Sequence, residues 1–240
     1  MTRAPLDGRI AAVTGGSGGI GKAIMEHLIS DGAVPCSLDR TAPGSGIDWI
    51  PTDVRDEDSV AAAVVELERR HGRLDILVHG AGVSHDAVLW KLAVAEWDRI
   101  MTVNLRGAFL LLHHGIPALR RAGGGRIVLI GSINGSRGKF GTGAYSASKA
   151  GLIGLARTAA RETGRLGIRV NVIEPGWVRT PLTDTLPPEV VDAAVSESLL
   201  GKLLAPADVA RAVTFLCGPG GEAITGQVLR VDGGQYLGGW

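Results

Sequence analysis

Ile10-Ala11-Ala12-Val13-Thr14-Gly15-Gly16-Ser17-Gly18-Gly19-Ile20-Gly21-Lys22-Ala23-Ile24 is the stretch that decides the fold. A short apolar run leads into a glycine-rich turn, and the turn opens a helix whose apolar positions are Ala23, Ile24 and Leu28. Glycines permit the dihedrals of such a turn and let the backbone approach a pyrophosphate closely. The helix N-terminus adds free amides and a partial positive charge. Two registers fit. Gly16, Gly18 and Gly21 match G-x-G-x-x-G, and Gly15, Gly19 and Gly21 match T-G-x-x-x-G-x-G. A glycine-rich hairpin has the same composition, but a strand before and a helix after favour a dinucleotide turn.

Outward from this unit, strand patterns alternate with helical ones. The strands are expected at Ile10–Val13, Val34–Leu38, Asp48–Ile50, Ile76–His79, Arg126–Ile130, Arg169–Ile173 and Val228–Val231. Helical patterns include Ser59–Arg70, Ala95–His114, Gly143–Thr163 and Pro206–Cys217. Alternation of this kind implies a parallel sheet covered on both faces. Right-handed crossovers make it a doubly wound, Rossmann-type three-layer α/β fold of seven strands, with a ligand across the C-terminal strand edges. No internal repeat, low-complexity tract or interdomain linker interrupts residues 1–240, so one domain is expected. Pro181–Leu204, where Pro187-Pro188 starts a short helix between turn residues, is the expected mobile segment.

Composition narrows the function. A chain of 240 residues builds one substantial core, and a net charge of +1 gives no reason to expect nucleic acid or an anionic membrane as partner. No apolar run approaches the ~20 residues of a membrane span. The start, Met1 to Asp7, lacks a signal peptide's hydrophobic region. Two cysteines, Cys36 and Cys217, in apolar stretches read as buried thiols in a reducing compartment. A cytoplasmic protein is expected. His71, His79, His85, His113 and His114 show no recognisable ligand spacing, so no metal is expected, and Asp56-Glu57-Asp58 reads as helix-start charge.

Tyr145 and Lys149 stand four residues apart in Ala144-Tyr145-Ser146-Ala147-Ser148-Lys149. On a helix that spacing puts phenol and ammonium on one face, a turn apart. A free tyrosine titrates near pH ~10, and a neighbouring ammonium lowers that value, so the pair is suited to exchange a proton at working pH. With this pair and the glycine turn, the chain resembles the short-chain dehydrogenase/reductase family, of the compact single-domain branch, from Leu6 to its end. Thr14, Gly15, Gly19 and Gly21 stand at the family's cofactor turn, with Ser17 and Ile20 inside it. Asp53 of Thr52-Asp53-Val54 matches the position that holds the adenine, with Val54 beside it. Asn104 matches the helix asparagine, and Ser132 lies thirteen residues before Tyr145, as the family requires. Asn171-Val172-Ile173-Glu174-Pro175-Gly176-Trp177-Val178-Arg179-Thr180 resembles the loop around the nicotinamide.

The resemblance implies a nicotinamide-dependent oxidoreductase interconverting a ketone and a secondary alcohol. Ser132 and Tyr145 would hydrogen-bond the reacting oxygen, Tyr145 passing the proton. Lys149 would lower the tyrosine's pKa and hold the ribose, and Asn104 would position a relay water. Ala81, Gly82, Val103, Pro175, Gly176, Val178 and Thr180 would complete the cofactor site. Asp39, eighteen residues after Gly21, suits the ribose hydroxyls and repels a 2′-phosphate, favouring NAD(H); Arg40 beside it keeps NADP(H) open. His79-Gly80-Ala81-Gly82 departs from the family's Asn-Asn-Ala-Gly, so a looser sheet or a substitute partner is expected there, with His79 as satisfied structure.

Leu89-Trp90-Lys91-Leu92 and the ending Gly226–Gly234 look most like 3-oxoacyl-thioester reductases, relatives that usually prefer NADPH. An NAD-linked dehydrogenase of a free secondary alcohol, polyol or cyclic alcohol is the alternative, and a non-catalytic dinucleotide sensor is the alternative from another class. Phe140, Trp90 and Trp177 are candidate pocket walls or ordinary core and interface residues. Arg120, Arg121, Arg165 and Arg169 could receive a carrier protein or coenzyme A, or be scattered surface charge. The family further implies a substrate lid at about 181–204. It also implies a homotetramer, or a dimer, built through the Ala95–His114 and Gly143–Thr163 helices and the C-terminal strand, with Tyr236–Trp240 at an interface.

Overall fold

A computed structural model describes residues 4–44, 46–180, 183 and 187–238. The strands are β1 (Ile10–Thr14), β2 (Val34–Asp39), β3 (Asp48–Pro51), β4 (Ile76–His79), β5 (Gly125–Ile130), β6 (Ile168–Pro175) and β7 (Val228–Val231). They form one parallel sheet in the order β3-β2-β1-β4-β5-β6-β7. The order reverses between β1 and β4, which leaves a crevice above their C-terminal ends. The inner strands are apolar throughout because both faces are covered: β1 and β4 are buried at every residue. Pro51 sits at the end of the edge strand β3, where its missing N–H costs no ladder bond.

The helices are α1 (Gly19–Ser30), α2 (Glu57–His71), α3 (Val94–Met101), α4 (Gly107–Arg121), α5 (Ile133–Arg137), α6 (Gly143–Thr163), α7 (Pro188–Ser196) and α8 (Pro206–Cys217). Helices α1 and α8 cover one face through Ile24, Leu28, Val209 and Val213. Helices α2, α4 and α6 cover the other through Val60, Leu67, Leu111 and Leu152. Each such fully buried aliphatic side chain contributes about 1.5–3 kcal/mol of burial. Both cysteines are buried free thiols, pushed up to about 12 by burial. Asp56 caps α2, its carboxylate accepting from the Asp58 N–H, as the acidic helix start suggests.

The helix expected to end at His114 runs on to Arg121, through Pro117. Gly115 lets it lie close on the sheet, since a Cβ there would come within 2.5 Å of the Leu77 side chain. A π-helical turn, Thr102–Arg106, separates α3 from α4 and contains Asn104. Such inserted residues mark functional positions in helices. Helix α7 begins at Pro188, as the proline pair suggests; Pro181, Leu182 and residues 184–186 of the expected lid lie outside the described residues. So do Gly239 and Trp240 of the closing segment. Among the described residues no helix is long and apolar enough to cross a membrane.

Candidate active site

The glycine turn closes by the Gly18 N–H donating to the Gly15 carbonyl at 3.1 Å. Gly15 has φ +71°, and a Cβ there would lie 2.7 Å from the Ala81 nitrogen; on Gly21 it would meet the Gly15 carbonyl oxygen at 2.0 Å. Both positions therefore require glycine, and a Cβ on Gly16 would likewise meet Ser37 Oγ at 2.5 Å, so the turn has no room for side chains at glycines of either register. Beside the turn opens a cavity of about 350 Å³, lined by Gly15, Asp39, Arg40, Asp53, Val54, Ala81, Gly82 and Val103. Thr14 lies buried beneath it, and Gly19 heads α1.

Asp39 closes β2, its carboxylate accepting from the Ser17 N–H at 3.2 Å and the Thr41 N–H at 3.3 Å. Asp53 is clasped by Arg55 at 2.6 Å, which draws its pKa down to about 2 although burial opposes the shift. Its oxygens are thus shared with an arginine that sequence reading left out.

A second cavity of about 740 Å³ shares Gly80, Gly82, Val83 and Arg99 with the first. Ser132, Tyr145 and Lys149 line it, with Ile20, Pro175, Gly176, Val178 and Thr180. Ser132 caps the short α5, its hydroxyl accepting from the Asn134 N–H at 3.2 Å. Tyr145 and Lys149 project from successive turns of α6, Nζ lying 5.6 Å from the phenol ring centre. The Lys149 ammonium donates to the Ile130 carbonyl at 2.8 Å. Burial draws its pKa down to about 8. The Tyr145 phenol is raised by burial; the Ser132 hydroxyl lowers it and the Asp86 charge raises it. The expected lowering by the ammonium is not among the influences on the phenol, and desolvation, the largest of them, sets the upward direction.

Asn104 sits in the π-helical turn with its side chain hydrogen-bonded to the Val83 loop and to Ser148. Its Oδ1 accepts from the Val83 N–H at 2.8 Å, and its Nδ2 donates to the Val83 carbonyl at 2.9 Å and to Ser148 Oγ at 3.0 Å. A Cβ on Gly82 would sit 3.3 Å from Lys149 Nζ and 3.5 Å from Asn104 Oδ1, so the two groups flank one point of the chain. His79 supplies the substitute partner expected at the family departure. It is fully buried, with Nδ1 3.0 Å from Thr14 Oγ1 and Nε2 3.2 Å from the Asn104 carbonyl.

Trp177 lines the larger cavity, with Lys139 stacked 4.4 Å above its ring. Trp90 and Phe140 line neither cavity and are exposed to 80% and 86%, so they are not its walls. Sequence reading also missed Gln235. Its Oε1 accepts from the Trp177 N–H at 2.7 Å and its Nε2 donates to the Ala194 carbonyl at 2.7 Å, joining the nicotinamide-type loop to α7. No local motif marks such a residue. The fold brings Glu57, His113 and His114 together, their ligand-type atoms within 4.8 Å, a grouping that ligand spacing along the chain does not mark. Arg106 stands 4.0 Å from the same carboxylate and supplies a cation there. Arg169 and Arg121 are paired with Glu222 and Glu68.

A Cβ-excluding turn at a helix start, a carboxylate closing β2 and a contiguous Ser-Tyr-Lys cavity fit a nicotinamide dinucleotide. They define an oxidoreductase acting on CH–OH groups with NAD(P), and the chain belongs to the short-chain dehydrogenase/reductase family. The family model that matches residues 16–235 is described as Enoyl-(Acyl carrier protein) reductase. The chain is 34% identical to 3-oxoacyl-(acyl-carrier-protein) reductase of Thermotoga maritima, covering 97% of this chain and 99% of that protein. It is 37% identical to (3R)-3-hydroxyacyl-CoA dehydrogenase of Canis lupus familiaris, over 97% and 98%. The aldohexose dehydrogenase of Thermoplasma acidophilum superposes with a TM-score of 0.92 at 31% identity, over 98% and 97%.

Proposed function

We propose that the chain interconverts a 3-oxoacyl and a 3-hydroxyacyl thioester, with NAD(H) favoured over NADP(H). The observation that carries the site assignment is the convergence of Ser132, Tyr145 and Lys149 on a cavity continuous with the glycine turn. When bound, the nicotinamide supplies or accepts the hydride. Ser132 Oγ and the Tyr145 phenol hold the oxygen of the reacting carbon, and Tyr145 gives its proton in reduction and takes it in oxidation. Lys149, one helical turn from the phenol, would bind the ribose hydroxyls. Asn104 acts through its neighbours, fixing the Val83 loop and Ser148 beside the lysine.

The glycine turn and Val54, Val103 and Asp53 would hold the adenosine half; Pro175, Gly176, Val178 and Thr180 would hold the carboxamide. Asp39 supports NAD(H), because a carboxylate accepts ribose hydroxyls and repels a 2′-phosphate, and the turn carries no basic residue before Lys22. The thioester reading is supported by the acyl-thioester relatives and by the apolar walls Ile133, Trp177 and Val178. Ser84, His85 and Asp86 on the same cavity, with the aldohexose dehydrogenase relative, favour a free polyol or sugar as the second reading.

Residues around 181–204 would close over the substrate, tied down by Gln235 and by Arg137, which donates to Glu197 at 2.8 Å. Exposed Val94 and Phe109 on α3 and α4 support assembly into a homotetramer. Titration with NADH and NADPH, followed by turnover on acetoacetyl-CoA against free sugars and cyclic alcohols, tests the reading. Binding of neither dinucleotide sinks it, and turnover of free alcohols alone moves the substrate to the second reading.

A further inference from the structure

His79 is a buried imidazole with two partners from distant parts of the chain: the Thr14 hydroxyl at the glycine turn and the main-chain carbonyl of Asn104 in the π-helical turn. The hydrogen positions follow from the partners. A carbonyl only accepts, so Nε2 carries the proton; the neutral ring then has a bare Nδ1, and Thr14 must donate to it. Burial, with the Lys149 charge second, draws the His79 pKa down to about 3, so the ring stays neutral at every working pH. The Thr14 oxygen accepts from the Ala81 N–H at 3.3 Å, which extends the chain of bonds to the loop lining both cavities.

We propose that His79 is a positioning residue that couples two halves of the site, holding the dinucleotide turn through Thr14 and the Asn104–Lys149 side through the Asn104 carbonyl. The proposal rests on the reaction assigned above, since it locates the second effect in turnover. On one side the imidazole fixes Thr14 and, through it, the Ala81 amide against Gly15. On the other it fixes the carbonyl of the residue whose side chain holds Val83 and Ser148 beside Lys149.

The two ring nitrogens can be replaced separately, because asparagine places a polar atom near Nδ1 and glutamine near Nε2. His79→Asn keeps a partner for Thr14 and loses the donor to Asn104. The expected result is an NADH Kd within about twofold of the parent and kcat lowered about tenfold, the scale of one lost hydrogen bond. His79→Gln keeps the donor and loses the acceptor: kcat stays within about twofold and the NADH Kd weakens about tenfold. Thr14→Val, which deletes the other end of the Nδ1 bond, should repeat the His79→Gln pattern, and it carries the test if the His79 variants do not fold.

A merely structural histidine would lower the unfolding temperature in both variants and leave kcat and Kd alone, or move the two constants together; either result overturns the coupling. If the parent protein binds NADH but turns over none of the carbonyl or alcohol substrates, the reaction assignment fails. The Kd contrast between Asn and Gln then still decides the coupling at Thr14.

Discussion

Replacing Lys149 by methionine should abolish turnover and yet make stability less dependent on pH, with a predictable sign. The lysine is 4% exposed, and burial draws its pKa from 10.5 to about 8. Between these values the unfolded chain holds a proton that the folded protein has released, so the parent's stability rises with pH across that window. At pH 7 the folded state carries the buried ammonium at a cost of about 3 kcal/mol, and above pH ~10.5 that cost is gone. Methionine has nothing to titrate. Its stability relative to the parent should therefore fall by about 3 kcal/mol as pH rises from 7 to 10.5. The lost bond to the Ile130 carbonyl adds a roughly constant about 1–3 kcal/mol against the variant and cancels in the difference. With about 2.1 cal/mol/K per residue, the unfolding entropy of this chain is ~0.5 kcal/mol/K, so the relative shift in Tm is about 6 °C. Urea and thermal unfolding of both proteins at pH 7, 8, 9 and 10 measure it. A stability difference that stays level or grows in the variant's favour with pH refutes the buried-ammonium argument, whatever happens to activity.

Tyr145→Phe should lower kcat by about 10²-fold or more while leaving the NADH Kd within about twofold, in steady-state and fluorescence titrations; unchanged turnover would favour a non-catalytic dinucleotide sensor. Asp39→Ser should weaken NADH about tenfold and tighten NADPH, and an unchanged ratio would show that Arg40 sets the preference. Asp75→Asn should cost about 3 kcal/mol in urea unfolding, because this carboxylate is 1% exposed and accepts from Arg9, Arg73 and the Ile10 N–H. Burial alone would raise the Asp75 pKa, but these partners hold it below the ordinary value. Its stabilisation is present above the unfolded pKa near ~3.9 and is lost as pH falls through the folded one; a parent stability that stays level through that acid window would refute it.

The sheet, the glycine turn and the Tyr145–Lys149 pair were legible in the sequence because each rests on short-range geometry. A two-sided parallel strand needs a run of apolar residues, a tight phosphate turn needs glycine where a Cβ has no room, and a helix brings residues four apart onto one face. Even the helix reading was a local matter, and it stopped early at His114 because Gly115 and Pro117 are weak helix formers whose cost the sheet contact of α4 offsets. Other features depend on residues far apart in the chain. His79 finds Thr14 and Asn104 only after β1, β4 and the π-helical turn have packed, and Gln235 reaches Trp177 and Ala194 across the closed fold. Whether Trp177, Phe140 or Trp90 walls the cavity depends on where each loop lies against the sheet, and only Trp177 does. The direction of the Tyr145 shift was likewise decided in three dimensions: spacing along a helix shows that an ammonium is near, but desolvation by the whole surrounding structure, with Ser132 and Asp86, sets the phenol's shift.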